Sequence, residues 1–542
     1  MSSTAFTFDE QLVKVSENMK MVLENKIEQV TDFLEQHKTQ CFYFSYGRSL
    51  LYFLQAGFTF EKQQFEVALK SLKKSLKIIQ NNRKHGISKH VYISNYNSFS
   101  DEECHAELCY AEALIAYAAA VTLLEPGFTD FINAATKVKI SHDCYKLCFK
   151  ILENKTNWQT ELRKVHFESG VRLGIAGFEL GCSYLPVFFQ KLLIFVGFTG
   201  NRDFGIRLLR EAEHTRNGVR FYGIHGALLA YNIAAETVFG TKSLGEYDEK
   251  LVKHIVDTWT PNGEESIFVA IKAAFNHRNG NIKETIKLYN RCLEIADDSW
   301  ITVTKGLKLL LVTCYALEGN WNECVKLLQE TNDYLRYSPA VTDYALAVCL
   351  SMKMDEERDE KYIPSIQKLL RTIPSLKKHF GGLFAFHEKL IIKRSKQYAE
   401  NVERMILPEL FYIWNYFCVL EKSKEYLKLI LRKIDQKFET ITEESNFEGF
   451  MYLTFLKGVV FRHLKIDNKA IQCFENILKN ERKIKCENHL QPQSALELAS
   501  IYKCWDRIDL AKIYTKKAKQ FSGYLTESLV KFRLNLLSNS IK

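Results

Sequence analysis

Two pairs of segments repeat one spacing of small and apolar residues, and that repetition limits the fold more than any other feature. Val269, Ala273, Gly280, Thr285, Ile286, Tyr289 and Cys292 are matched by Thr304, Val312, Tyr315, Gly319, Cys324, Leu328 and Thr331. Thr285 and Cys324 fix the offset at 39 residues. Near the C-terminus, Thr454, Gly458, Phe461, Ala470, Phe474 and Ile477 are followed by Ala495, Ala499, Tyr502, Ala511 and Ala518. There the offset, Ala470 to Ala511, is 41 residues. Periods of this length mark helix–turn–helix units that stack on one another. Small residues let the two helices of a unit approach, and large ones fill the groove of the next unit. Ala56, Ala68, Leu72 and Ser75 stand in equivalent places on two earlier helices, Phe42–Phe58 and Phe60–Arg83. The expected fold is therefore all-α.

Composition agrees. Only 8 prolines occur in 542 residues, and they sit where helical patterns stop. Further helices are expected over 9–36, 101–124 with Asp101 as cap, 128–153, 156–184, 218–239, 339–371 as a pair, and 407–420. A polar loop, 85–100, separates two of them and is either disordered or partner-binding. The net charge of +10 is modest for this length and does not imply nucleic-acid binding. Residues 1–11 lack the basic and apolar regions of a signal peptide, and no run reaches spanning length, so a soluble, cytoplasmic chain is expected. Three regions follow: a tail and capping helix over 1–39, an N-terminal helical region over 40–240, and repeats over 241–542. The last two are expected to form one continuous solenoid.

The stretch 165–209 is the most unusual part. Gly170, Gly174, Gly177 and Gly181 recur every three or four residues, which on a helix is one stripe. Each glycine there costs about 0.5–1 kcal/mol relative to alanine, so the stripe points to a close helix crossing. The longest apolar run, Leu185–Phe198, follows it and carries only Lys191 as a charge. Runs this short are usually core, which would bury Phe195. The alternative is a segment that touches lipid. Gly200 and Asn201 read as a helix break and the cap of the next helix.

Candidate binding residues are few. Lys70, Lys73, Lys74 and Lys77 lie on nearby faces of one helix. That is the pattern of a solvated face, or of a dock for an acidic peptide or anionic headgroup. Fourteen cysteines lie on helical faces, without disulfide frameworks. Cys104, His105 and Cys109, and likewise His142, Cys144 and Cys148, lack the paired spacings of structural zinc, so no metal is expected. Asp203-Phe204-Gly205 matches a kinase magnesium-loop string, but none of the accompanying kinase elements is present. There is no phosphate loop, nucleophile elbow or zinc-protease helix. No catalytic residue and no cofactor is expected.

The chain resembles the tetratricopeptide-repeat 39 family, whose fungal relatives are inclusion-body-clearance proteins. The residues that carry the resemblance are 105–112 (HAELCYAE), 167–174 (FESGVRLG), 198–205 (FTGNRDFG), Gly280-Asn281-Ile282, Tyr412-Ile413-Trp414-Asn415, and Lys483-Ile484-Lys485 ahead of Pro492. It spans residues 42–533. It implies a tetratricopeptide-like α-solenoid that binds protein partners or peptides, and it carries over no catalytic residue. Roles in protein turnover, lipid homeostasis or lipid droplets are implied by the resemblance alone. The chain departs from the family's pattern at Tyr337-Ser338-Pro339-Ala340 and at Gly381-Gly382-Leu383.

Overall fold

A computed structural model describes residues 6–59, 62–84, 95–124, 128–184, 200–235, 248–259, 265–295, 301–332, 338–376, 385–400 and 407–541. Among these residues all regular structure is helical. The apolar run Leu185–Phe198, with Phe195, lies outside them. So do residues 85–94 of the polar loop and Gly381-Gly382-Leu383.

The chain divides into two compact units. The first comprises Met1–Leu229 with Glu265–Ile267 and Ile295–Val303; the second holds the remainder. The first unit contains α1 (Phe8–Leu23), α2 (Ile27–His37), α3 (Phe42–Thr59), α4 (Lys62–Asn81), α5 (Asp101–Leu124), α6 (Phe128–Asn154), α7 (Glu161–Tyr184), α8 (Arg202–Glu211) and α9 (Phe221–Leu229). Successive helices pack as antiparallel pairs: α3 on α4, α5 on α6, α7 on α8. Helix α5 is the centre, touching α3, α4, α6 and α7. Its alanines at 106, 111, 113, 116, 118 and 120 are all buried, which lets neighbours close in on several sides. This helix is long and apolar enough to cross a membrane by length and composition. It nonetheless sits in the core, and its carboxylates at 107 and 112 are paired with arginines.

Ser100, not Asp101, caps α5. Its hydroxyl accepts the Glu103 N–H (3.1 Å) while the Glu103 carboxylate accepts the Ser100 N–H (2.9 Å). Asp101 faces inward, beside Lys155 and Arg163. Helix α7 begins at Glu161, later than expected. Residues 155–159 are held outside the helix by other bonds: Asn97 accepts the Thr156 N–H and Asp101 the Gln159 N–H.

Apart from the few end residues of three helices that fall in the first, the second unit contains α10 (Glu249–Trp259), α11 (Ser266–Arg278), α12 (Ile282–Ile295), α13 (Ile301–Glu318), α14 (Trp321–Asn332), α15 (Pro339–Glu357), α16 (Ile363–Thr372), α17 (Ala385–Tyr398), α18 (Leu407–Ile413) and α19 (Phe417–Leu420). It continues with α20 (Lys424–Lys437), α21 (Phe447–His463), α22 (Asp467–Lys479), α23 (Leu490–Cys504), α24 (Ile508–Lys519) and α25 (Glu527–Ser540). A single turn recurs here. Gly280, Gly319, Asn415, Lys465 and Asp506 all have left-handed φ, from 55° to 75°. Each follows a helix, and the N–H after it bonds the carbonyl five residues back: Asn281 to Asn276, Asn320 to Tyr315, Tyr416 to Phe411, Ile466 to Phe461, Arg507 to Tyr502. This is the Schellman closure. Gly280 and Gly319 keep the 39-residue offset, Lys465 and Asp506 the 41-residue one.

The same closure at Asn25 splits the helix expected over 9–36 into α1 and α2, and Asn415 splits the one expected over 407–420. The helix expected over 218–239 starts only at Phe221, because Gly218 is in a turn, and Ala230–Ala235 is a π-helix. Ser338 caps α15 by accepting the Val341 N–H, with Pro339 at the first helical position. Inside the repeats the expected small and aromatic positions are core: Ala470, Phe474, Ile477, Ala495, Ala499, Ala511 and Ala518 are all buried.

Candidate functional site

The lysines of α4 are solvent-facing. Phe65, Ala68, Leu72, Ser75 and Ile79 bury one face of the helix, which leaves Lys70, Lys73, Lys74 and Lys77 exposed on the other. Among the described residues none of the four has a carboxylate partner; Lys73 alone lies near an aromatic ring, 6.0 Å from the Tyr117 centroid.

Two of the family-like strings, 105–112 and 167–174, meet instead at a buried arginine. Arg220, ahead of α9, makes a fork with Glu112 of α5, Nε at 2.9 Å and Nη2 at 2.6 Å. Its Nη1 donates to the Tyr43 hydroxyl (3.0 Å), which in turn donates to Nδ1 of His105 (2.6 Å). Nε2 of His105 then donates to the Arg163 carbonyl (2.9 Å). This direction of donors requires a neutral imidazole and a neutral phenol. Burial, and then the charge of Arg220, hold His105 well below its ordinary pKa; burial holds Tyr43 above its own. Nearby, His166 accepts the Val219 N–H at Nδ1 and is pushed down to about 4 by burial and Arg220. A Cβ on Gly170 would lie 2.6 Å from Leu108 and 3.0 Å from Nε of Arg220, so glycine makes room for the guanidinium.

The glycine stripe is thus two contacts rather than three. A Cβ on Gly174 would fall 1.9 Å from the Tyr145 ring of α6, whereas at Gly177 it would meet nothing within 4 Å among the described residues. Gly177 is exposed and meets no crossing helix among the described residues. The contact between α7 and α8 passes through Gly205, whose Cβ would lie 3.2 Å from the Ala176 carbonyl. Gly200 takes φ +61°, and Asn201 caps α8 by accepting the Phe204 N–H.

The cysteine–histidine sets do not assemble. Both His105 nitrogens are bonded, Cys144 Sγ faces Arg83 at 3.7 Å, and burial pushes the Cys104 and Cys109 thiols up to about 12. Among the described residues no group of three His, Cys, Asp or Glu side chains is placed to hold a metal.

The second unit has its own buried arginine, unforeseen in the sequence. Arg394 of α17 bonds Glu409 and forks onto Glu487 at 2.6 and 2.9 Å, and the Tyr398 hydroxyl donates to Glu409 at 3.0 Å. Next to it Glu448 accepts three successive backbone N–H groups, from Lys485, Cys486 and Glu487, at 2.8–3.1 Å. Its carboxylate fixes the loop that carries the Lys483-Ile484-Lys485 string. A cleft of about 670 Å³ opens beside that loop, between α17, α25 and the turn before α25.

Hairpins closed by one recurrent turn, with their ionic groups paired inside, define a helical-repeat protein of the tetratricopeptide-like class. Comparison with known proteins makes the class specific. The model of the Iml2/Tetratricopeptide repeat protein 39 family matches residues 16–464, and the chain belongs to that family. A relative, Tetratricopeptide repeat protein ttc-39B of Caenorhabditis elegans, is 26% identical over 527 residues, covering 95% of this chain and 90% of the relative. Among solved structures, the human IFIT1 dimer with m7Gppp-AAAA gives a TM-score of 0.35 at 13% identity, covering 96% of each chain. The APC/C hetero-tetramer Cut9–Hcn1 gives 0.25 at 11% identity, covering 99% of this chain and 97% of that one. The family assignment rests on the sequence matches.

Proposed function

We propose that the chain is a non-enzymatic scaffold that binds a protein partner, with an acidic segment of that partner lying along α4. The observation that carries the reading is the row of four exposed lysines without a carboxylate partner among the described residues. The arginines that are largely buried in the first unit are paired within it: Arg83 with Glu107, Arg163 with Asp9, Arg220 with Glu112. A helix face left with one sign of charge raises the association rate of an oppositely charged partner. The histidines and thiols of the Arg220 region are neutral and bonded, which suits structure rather than proton transfer or nucleophilic attack. Family membership favours a place in protein turnover or lipid homeostasis, in the cytoplasm or peripherally on membranes or lipid droplets.

The test is the variant Lys70→Gln/Lys73→Gln/Lys74→Gln/Lys77→Gln. Pulldown of partners from cell extract, at low ionic strength where exposed charges are least screened, should lose its acidic partners while the melting temperature stays unchanged. Equal recovery by variant and parent would make the face a merely solvated one. Loss of binding to anionic vesicles, with protein partners retained, would move the reading to a lipid surface.

A further inference from the structure

The string Lys483-Ile484-Lys485 is not explained by helix packing. Ile484 is buried, but Lys485 is exposed and lines the cleft beside α17 and α25. Three more lysines line the same space: Lys389 and Lys393, one helical turn apart on α17, and Lys531 on α25. Glu527 is the sole carboxylate among the lining residues, so the lining carries a net charge of +3. Glu527 is already taken by Lys531 and by the Gly523 N–H (2.7 Å). The deeper carboxylates are taken too, Glu409 and Glu487 by Arg394 and Glu448 by the backbone.

Lys389 and the Lys485 ammonium have no partner among the described residues, and Lys393 bonds only the Cys486 carbonyl, at 3.0 Å. Tyr524 also lines the cleft, and its hydroxyl has no partner among the described residues. Four ammonium groups around one opening repel one another, and Glu527, paired with Lys531, is the one counter-charge in the lining. The geometry is fixed rather than incidental: Glu448 clamps the 485–487 backbone, and the Lys393 bond ties that loop to α17.

We propose that this cleft binds a compact anion bearing several phosphates, of the class of a multiply phosphorylated inositol. The lining supplies lysines and no arginine. Lysine binds phosphate as a point charge, so a ring of lysines favours charge density over the planar, bidentate geometry that arginine reads. A volume of about 670 Å³ falls within the usual 300–1,000 Å³ of small-molecule sites. Only a compact ligand of high charge density can meet all four ammoniums at once. The same chemistry is offered by a free inositol polyphosphate and by a phosphoinositide headgroup.

The test is calorimetric titration of the full chain with inositol hexakisphosphate, beside flotation with vesicles containing phosphatidylinositol bisphosphate or, at equal charge, phosphatidylserine. Two variants are compared: Lys389→Gln/Lys485→Gln in the cleft and Lys70→Gln/Lys74→Gln on α4. All four side chains are exposed and without an ion pair among the described residues, so both variants should keep the parent's melting temperature. Binding of the soluble probe, the phosphoinositide vesicle or both should weaken roughly tenfold or more in the cleft variant and hold in the α4 variant. Binding of the soluble probe alone identifies a free metabolite, and binding of the vesicle alone a lipid headgroup. Absence of both, or equal weakening by the two variants, overturns the proposal. The α4 reading stands or falls separately, on protein capture.

Discussion

Gly174 and Gly177 sit three residues apart on α7 and demand opposite substitutions. Gly174→Ala pushes a methyl into the buried Tyr145 ring, where the added carbon would lie 1.9 Å from Cε1. The expected cost is about 1–3 kcal/mol, the usual result of inserting bulk into a filled core. Gly177→Ala meets no described atom within 4 Å on an exposed helical position and should stabilise by roughly 0.5–1 kcal/mol. Thermal melts of the two variants check both signs; a pair that shifts in the same direction would refute the crossing. The sequence marked the stripe, because a period of three to four places glycines on one face whatever covers them. It did not mark where coverage ends. That depends on Tyr145, on a different helix, and periodicity within α7 holds no information about it. Arg220 was hidden for a similar reason. Its partners Glu112 and Tyr43 lie 108 and 177 residues away, so the buried network surfaced in the sequence only as unexplained strings.

At the scale of elements, the left-handed turn accounts for both the successes and the misses. Helices ending in Gly280 and Gly319 were legible because glycine advertises the conformation. Helices ending in Asn25 and Asn415 were read through, since asparagine inside an amphipathic pattern does not by itself announce a stop. Lys465 and Asp506 adopt the same backbone against their intrinsic preference, φ 63° and 57°. A non-glycine residue there costs about 1–2 kcal/mol, while glycine gives back about 0.5–1 kcal/mol through the unfolded chain. Lys465→Gly and Asp506→Gly should therefore each raise the unfolding free energy by up to about 1 kcal/mol, and the denaturation midpoint with it. Gly280→Ala should lower it. The φ of 75° is unfavourable to alanine, and its Cβ would meet Ser423 Oγ at 2.3 Å, where that hydroxyl donates to the Gly280 carbonyl. Urea titrations with unchanged m-values would assign these shifts to the folded turn. A lower midpoint for both glycine variants would mean that the lysine and aspartate side chains hold the turn.

At the scale of the whole molecule, the stacked hairpins bury imidazoles as neutral packing groups. The fold class was legible from repeat offsets, but this consequence was not, because the histidines are scattered in sequence and become alike only through burial. His166 and His277 are pushed down to about 4 and His489 to about 3, in each case chiefly by burial, and His105 lies well below its ordinary value. The unfolded chain takes up protons on these groups near pH 6.5, and the folded chain only near pH 4 or below. Between those limits the unfolded state binds more protons, so acidification favours it. Each sequestered imidazole contributes stability that is full above pH 6.5 and lost as pH falls, at up to about 1.4 kcal/mol per pH unit. Glu487 acts in the next window down. Burial is the largest single effect and raises its pKa, but the charge and hydrogen bonds of Arg394, with the charges of His489 and Lys393, together outweigh it and hold the group at about 2, so its contribution declines from pH 4.5 to 2. The urea midpoint should therefore drop steadily from pH 7 to pH 4.5, before the carboxylates dominate. Replacing His277 with Gln, which cannot titrate, should flatten that slope relative to the parent even if it lowers the midpoint at pH 7. A midpoint level between pH 7 and 5 would show that the folded chain protonates these rings, and would contradict their burial as neutral groups.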